Sequence, residues 1–143
     1  MTPSRPVFAA KRALLWILVV LFLLRILAQP LANFIPVLPP FEAWQGSRLP
    51  YPVLLAFQLA ILAAMVATTL YTRRAQRPHR PRLARALTLM GAAYFAAMFA
   101  RLVAGAAWED APLWFQRPLP AIFHLVLASW LLLIAREFGK PRE

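Results

Sequence analysis

The chain has 143 residues, of which 62% are hydrophobic, and it carries a formal net charge of +11. A soluble domain of this size is usually about half apolar, and here the excess falls in four long blocks that indicate an integral membrane protein. The absence of cysteine excludes disulfides, thiolate metal sites and thiol catalysis. The positive charge lies between the apolar blocks, where membrane topology explains it better than a nucleic-acid partner does, so no nucleic acid is expected.

The first apolar block follows the basic segment MTPSRPVFAAKR and predicts a transmembrane helix over residues 13–29. A secretory signal peptide is the alternative, because a basic segment before an apolar run is typical of one. Arg25 interrupts the place where a cleavage site would form, which favours an uncleaved helix. The side chains of this span are mostly bulky, which suits contact with lipid or with a large partner.

The connection that follows, residues 30–52, is rich in proline and in aromatic residues. It is too apolar for a flexible linker and too rich in proline for another span. We expect an ordered cap on the outer membrane interface, with a short helix near residues 41–45. A loop that simply lies on the membrane is the alternative. The aromatic residues expected at this interface are Trp44, Tyr51, Trp108 and Trp114.

Three further blocks predict transmembrane helices over residues 52–71, 86–107 and 118–135. Their lengths fall within the range of about 17–25 residues that crosses the hydrocarbon of a bilayer. None shows the apolar–polar alternation of a barrel strand. The predicted fold is therefore an all-α integral membrane protein, a single domain over residues 1–143. Its four helices would form an antiparallel bundle of sequential neighbours.

Basic residues are unevenly distributed among the connections, and this predicts the orientation in the membrane. The first and third connections carry only Arg48 and Arg117, whereas both termini and the second connection carry many more. Both termini are therefore expected in the cytoplasm, and the protein in the plasma (inner) membrane. The residues assigned to the cytoplasm are Arg5, Lys11, Arg12, Arg73, Arg74, Arg77, Arg80, Arg82, Arg85, Arg136, Lys140 and Arg142.

Two spans carry alanines four residues apart, a spacing that lets helix backbones approach closely in lipid. These candidate helix-packing residues are Ala56, Ala60 and Ala64 in the second span and Ala92, Ala96, Ala100 and Ala104 in the third. The two rows either meet each other or meet a different subunit, and the sequence leaves both alternatives open.

One strongly polar residue from each predicted span lies at a similar depth, and the four are Arg25, Gln58, Arg101 and His124. In the predicted orientation, each lies about 6–9 Å from the outer end of its helix, at about 1.5 Å per residue. Gln29 also lies in the first span, one turn beyond Arg25 on the same face. Because a charge within a span is costly, such residues are functional candidates. Two arginines, a glutamine and a histidine would suit an anionic or carbonyl-bearing amphiphile such as a lipid, a quinone or a carboxylate.

The polar layer is also compatible with two structural roles that need no ligand. The arginines could extend to the outer headgroups, which lowers the cost of placing them in a span. They could also pair with Glu42, Glu109 or Asp110 beneath the cap and hold the helices together. A haem or a chlorophyll-type pigment on His124 is a further alternative, although no cofactor is expected.

No catalytic constellation is present in the sequence. All five acidic residues lie outside the predicted spans, which argues against cation-coupled transport. No catalytic triad, zinc motif or phosphate-binding loop is found. We therefore expect a non-enzymatic membrane protein, an accessory or assembly subunit that contacts lipid and packs against other integral membrane subunits. A binding module built on the polar layer is the alternative.

Overall fold

The computed structural model describes residues 5–72 and 79–140, with the side chains of residues 10–72 and 79–140. Four α-helices lie within these ranges, and each is long and apolar enough to cross a membrane. The all-helical membrane class is thus confirmed, while the orientation stays a prediction. The helices are α1 (Arg5–Leu31), α2 (Tyr51–Tyr71), α3 (Pro81–Ala107) and α4 (Pro118–Gly139), with a 3₁₀ helix at Phe41–Trp44.

Four of the basic residues assigned to the cytoplasm lie outside the described ranges, as does the side chain of a fifth, Arg5. The four are Arg73, Arg74, Arg77 and Arg142.

The helices extend beyond the predicted spans, because hydropathy marks the hydrocarbon layer rather than the ends of a helix. α1 begins at Arg5 instead of residue 13, and α3 begins at Pro81 instead of residue 86. Proline suits the first position of a helix, where its missing N–H would have no intrahelical partner. The short helix expected near residues 41–45 is found at Phe41–Trp44 as a 3₁₀ turn.

The helices do not pack in the order of the sequence. α1 lies against both α2 and α4, and α3 packs along α4. α4 also reaches α2, since the indole Nε1 of Trp130 donates to Thr69 Oγ1 at 3.1 Å. The described parts of α2 and α3 share no extensive contact. The expectation that sequential helices are neighbours is therefore wrong for this pair.

The core of the bundle lies along one face of α1. Its buried side chains recur at intervals of three and four residues, which keeps them on one side of a helix. They are Leu15, Leu18, Val19, Phe22 and Ile26, and they pack with Met65, Trp130 and Ile134. The bulky first helix thus faces the other helices of its own chain as well as the exterior.

α3 approaches α4 closely at small residues. A Cβ on Gly91 would lie 3.1 Å from Leu132 Cδ2, and one on Gly139 would lie 3.3 Å from the Cβ of Ala84. Residues early in α3 thus meet residues late in α4, so the two helices run antiparallel. Near the other end of α3, Gly105 lies against the backbone carbonyl of Phe115 in the α3–α4 connection.

Both alanine rows face away from this packing. Ala56, Ala60 and Ala64 are exposed on α2, and the row on α3 is exposed except for half-buried Ala104. With 3.6 residues per turn, each row lies opposite the buried face of its helix. The rows therefore do not meet each other within the chain.

Candidate functional site

The α1–α2 and α3–α4 connections meet at one end of the bundle, which we call the cap end. Arg117 Nη1 donates to the carbonyl of Gln45 at 3.0 Å and so joins the two connections. A Cβ on Gly46 would lie 2.8 Å from the Cβ of Pro120, so only glycine lets the first connection lie this close to α4. The expected cap thus takes the form of an ordered segment packed on the helices.

Trp44 is the buried residue of the cap, and its ring points towards α4. Only 6% of its surface is exposed, whereas Trp108 and Trp114 are 54% and 46% exposed. Its indole Nε1 donates to the carbonyl of Pro39 at 3.0 Å, and its ring centroid lies 6.0 Å from that of Phe123. The Trp44 ring therefore fills the space between the cap and α4, while its expected position at the outer membrane interface stays a prediction.

Arg25 lies on the buried face of α1, one turn beyond Phe22. Its Nη2 donates to the carbonyl of Trp44 at 3.2 Å, and its guanidinium lies 5.9 Å from the ring centroid of Phe123. The side chain is 7% exposed, and its Nη1 is buried without a hydrogen-bond partner among the described residues. Arg25 therefore points into the bundle and still has donor capacity there.

Arg101 makes the corresponding contact from α3. Its Nε and Nη2 donate to the carbonyl of Trp114 at 2.9 and 2.5 Å. Its guanidinium lies 4.0 Å from the centroid of the Trp114 ring, a cation–π distance. With 3% of its surface exposed, Arg101 is fixed against the α3–α4 connection.

His124 lies on α4 and contacts α3. Its Nδ1 is hydrogen-bonded to the hydroxyl of Tyr94. Phe123, the residue before His124, has its ring centroid 5.9 Å from the Arg25 guanidinium. The structure therefore brings His124 and Arg25 to the same part of the bundle, with Tyr94 as a partner of His124 that the predicted set does not include.

Gln58 is buried on α2, with 4% of its surface exposed. Both polar atoms of its amide lack a hydrogen-bond partner among the described residues, as do those of fully buried Gln29 on α1. No hydrogen bond within the described residues links Gln58 to Arg101 or His124. The α1–α2 half of the layer is thus buried and polar, with unused hydrogen-bonding capacity.

The ion pairs considered for the two arginines are not formed. Within the described ranges, no ion pair links Arg25 or Arg101 to Glu42, Glu109 or Asp110. Both guanidiniums instead donate to backbone carbonyls, which carry no charge. Their positive charges therefore have no carboxylate counterpart in this part of the structure.

A cleft opens at the cap end beside Arg101, with a volume of about 440 Å³. It is lined by Gln45, Gly46, Ser47, Arg48, Arg101, Leu113, Trp114 and Arg117. Sequence reasoning missed the part that Arg48 and Arg117 play here, because it counted them only as topology signals. Their being the only basic residues in their connections was the available clue.

Metal and pigment sites find little support. Within the described residues, no group of three or more His, Cys, Asp or Glu side chains could hold a metal ion. The Nε2 of His124 lies 4.0 Å from the point where a Cβ on Gly46 would stand. The chain thus passes close to the nitrogen that would have to ligate a haem or a chlorophyll-type pigment.

No protein-family model matches this chain, and no significant similarity to a curated protein or to a solved structure was found.

Proposed function

We propose that this protein is a small, non-enzymatic accessory subunit of the plasma (inner) membrane, with both termini in the cytoplasm. It docks through the outer face of α2 on a transmembrane helix of another subunit. The observation that carries this proposal is a shallow apolar groove of about 490 Å³ on α2, lined by Pro52, Val53, Ala56, Phe57 and Ala60.

The groove has the chemistry of a helix-docking surface. Apolar burial alone does not drive helices together in lipid, so association depends on close contact at small side chains. The small residues Ala56 and Ala60 line the groove together with Phe57. The buried residues of α2, Gln58, Met65 and Thr69, lie on the opposite side of the helix. A second helix can therefore occupy the groove without disturbing the packing against α1.

The exposed alanine row on α3 offers a second small-residue face, and it also points away from the rest of the bundle. Because α2 and α3 are not packed together, a partner can contact either helix. Two such faces on a chain of 143 residues suit a subunit that fills space within a larger membrane assembly.

The test is purification in a mild detergent, followed by native mass spectrometry of the full-length protein. Wild type should elute as part of a defined larger assembly. Ala60→Leu fills the groove and prevents close contact there. It should reduce the assembled fraction about tenfold, which corresponds to about 1.4 kcal/mol. Leu59→Phe also adds bulk to an exposed position of α2, but outside the groove, and it should assemble as wild type does. Equal assembly of the two variants, or a wild-type monomer, would reject the docking proposal.

A second candidate function is the binding of an anionic or carbonyl-bearing amphiphile, such as a lipid, a quinone or a carboxylate, in the polar layer. The unpartnered Arg25 Nη1 and Gln58 amide favour it, because buried polar groups normally have hydrogen-bond partners. A ligand oxygen could accept from either group.

This candidate predicts a small molecule that co-purifies with the monomer and is detected by denaturing mass spectrometry. Gln58→Leu and His124→Ala should reduce its content. Thr88→Ala removes a hydroxyl near the opposite end of α3, where it donates to the carbonyl of Ala84, and should leave the content unchanged. If the layer variants retain the molecule at the wild-type level, the layer is not its site.

A further inference from the structure

We propose that the cap-end cleft binds a phosphate-type oxyanion through Arg48, Arg101 and Arg117. This inference goes beyond the docking function and does not require it. It concerns a surface cleft in which two of the three arginines, Arg48 and Arg117, lie outside the buried polar layer. The cleft is the place where the only arginines of the two cap-end connections meet Arg101 of α3.

The three arginines retain donors that the protein does not use. Arg101 donates from Nε and Nη2 to the Trp114 carbonyl, and Arg117 donates from Nη1 to the Gln45 carbonyl. Arg48 is exposed and makes no hydrogen bond or ion pair within residues 5–72 and 79–140. Each guanidinium carries five N–H donors, so every one of the three can still donate into the cleft.

The charge of the cleft is uncompensated. No carboxylate lines it, and Arg101, Arg48 and Arg117 form no ion pair with the described acids. Three guanidiniums around one cavity repel one another, and this repulsion is reduced when an anion lies between them. Arg48 and Arg117 meet in this cleft although basic residues are otherwise depleted from the two connections that carry them.

The shape of guanidinium favours phosphate-type oxygens over halide. Its planar fork of N–H groups matches two oxygens of a phosphate or a carboxylate at once. Gly46 and Ser47 also line the cleft and add no negative charge. A tetrahedral oxyanion contacted from three sides is therefore the best match to the cleft.

Part of the cleft wall is apolar. Leu113 and Trp114 are 69% and 46% exposed, and they lie beside the three charges. Such a wall would contact the glycerol and upper acyl region of a phospholipid whose phosphate lies among the arginines. The same donors would also hold a free phosphate, so the two sources share one chemistry and are separated by experiment.

The test uses the full-length protein in an uncharged detergent, and native mass spectrometry measures the phosphatidylglycerol that it binds. Phosphatidylcholine with the same acyl chains and inorganic phosphate serve as competitors. Arg48→Gln is the decisive variant, because this exposed side chain makes no contact that folding would need. It should weaken binding about fivefold, the factor expected for one basic residue beside an anionic headgroup, and Arg48→Gln with Arg117→Gln about 25-fold.

Arg136→Gln is the matched control, since it removes an exposed arginine from α4 at the opposite end of the bundle. It should bind as wild type does, and Arg48→Lys should recover part of the affinity. Competition by inorganic phosphate would identify a soluble oxyanion, and its failure would identify the lipid headgroup; either result supports the cleft. Unchanged binding in the double variant, or an equal loss in Arg136→Gln, would overturn the proposal. The assembly of Ala60→Leu reports on docking separately, so the two proposals fail independently.

Discussion

Arg25 Nη2 donates to the backbone carbonyl of Trp44 across 3.2 Å, which ties the first transmembrane helix to the cap that follows it. A hydrogen bond from a charged donor contributes about 1.5–3 kcal/mol. We expect Arg25→Ala to lower the free energy of unfolding by about 2 kcal/mol and to release the cap. Limited proteolysis of the detergent-solubilised protein should then cleave faster within residues 32–50.

Arg12→Ala is the control for this experiment, because Arg12 is exposed on the same helix. Equal protease resistance in Arg25→Ala and Arg12→Ala would show that the Arg25–Trp44 contact does not hold the cap.

The Tyr94–His124 hydrogen bond should couple α3 to α4. In a double-mutant cycle of Tyr94→Phe and His124→Leu, we expect a coupling free energy of about 0.5–1.5 kcal/mol. A cycle that combines Tyr94→Phe with Thr69→Val should be additive, since Thr69 bonds to Trp130 and shares no partner with Tyr94. Additivity in the first cycle, measured by unfolding in mixed micelles, would contradict the hydrogen bond.

Two glycines of α3 should differ in their tolerance of a methyl group. Alanine at Gly91 would meet the flexible end of Leu132 at 3.1 Å, whereas alanine at Gly105 would strike the backbone carbonyl of Phe115. We expect Gly91→Ala to be nearly neutral, because alanine is favoured in a helix by about 1 kcal/mol. Gly105→Ala should destabilise by about 1–3 kcal/mol. Thermal unfolding of both variants measures the two losses of stability. A larger loss in Gly91→Ala than in Gly105→Ala would contradict the packing of α3 against the connection.

Replacement of the buried amide of Gln58 should stabilise the ligand-free protein. Both amide atoms lack partners in the described structure, and an unsatisfied buried group costs about 1–3 kcal/mol. Gln58→Leu preserves most of the volume, so we expect its unfolding free energy to rise by about 1 kcal/mol in delipidated detergent. A loss of stability would mean that the amide is satisfied by a tightly held molecule, which favours the polar-layer function.

The predicted orientation can be tested with single-cysteine variants, because the chain contains no cysteine of its own. Val37 is 92% exposed in the first connection, and His79 is exposed just before α3. In intact cells, a membrane-impermeant maleimide should label Val37→Cys and should label His79→Cys only after permeabilisation. The opposite pattern would invert the topology.

Hydropathy alone was sufficient to predict the four helices, because the requirement to satisfy backbone hydrogen bonds in lipid leaves few alternatives. It could not place the start of α1 or α3, since a helix that leaves the hydrocarbon continues on polar residues. The burial of Trp44 could not be predicted either, because nothing in the sequence distinguishes an interfacial tryptophan from a buried one.

The order of the helices was harder to predict than their number. Alanine rows suggested contact faces, yet α3 approaches α4 closely at Ala84 and Gly91, while Gly105 lies against Phe115 in the connection. The polar layer as a functional site stays a prediction. The structure shows that Arg25, Gln58 and Arg101 are buried and that His124 is hydrogen-bonded to Tyr94. Arg48 and Arg117 could not be placed, because their meeting depends on how two distant connections fold together.

The two arginines within the predicted spans, Arg25 and Arg101, also bear on how such a chain is made. Arg25 finds its acceptor 19 residues later and Arg101 finds one 13 residues later, each within the connection that leads to the next helix. Neither guanidinium needs the other half of the protein to satisfy these bonds. During co-translational insertion, each helical hairpin can therefore leave the translocon with its arginine already bonded to its own chain. Biogenesis could then proceed hairpin by hairpin, and the Arg117–Gln45 bond would form when the second joins the first.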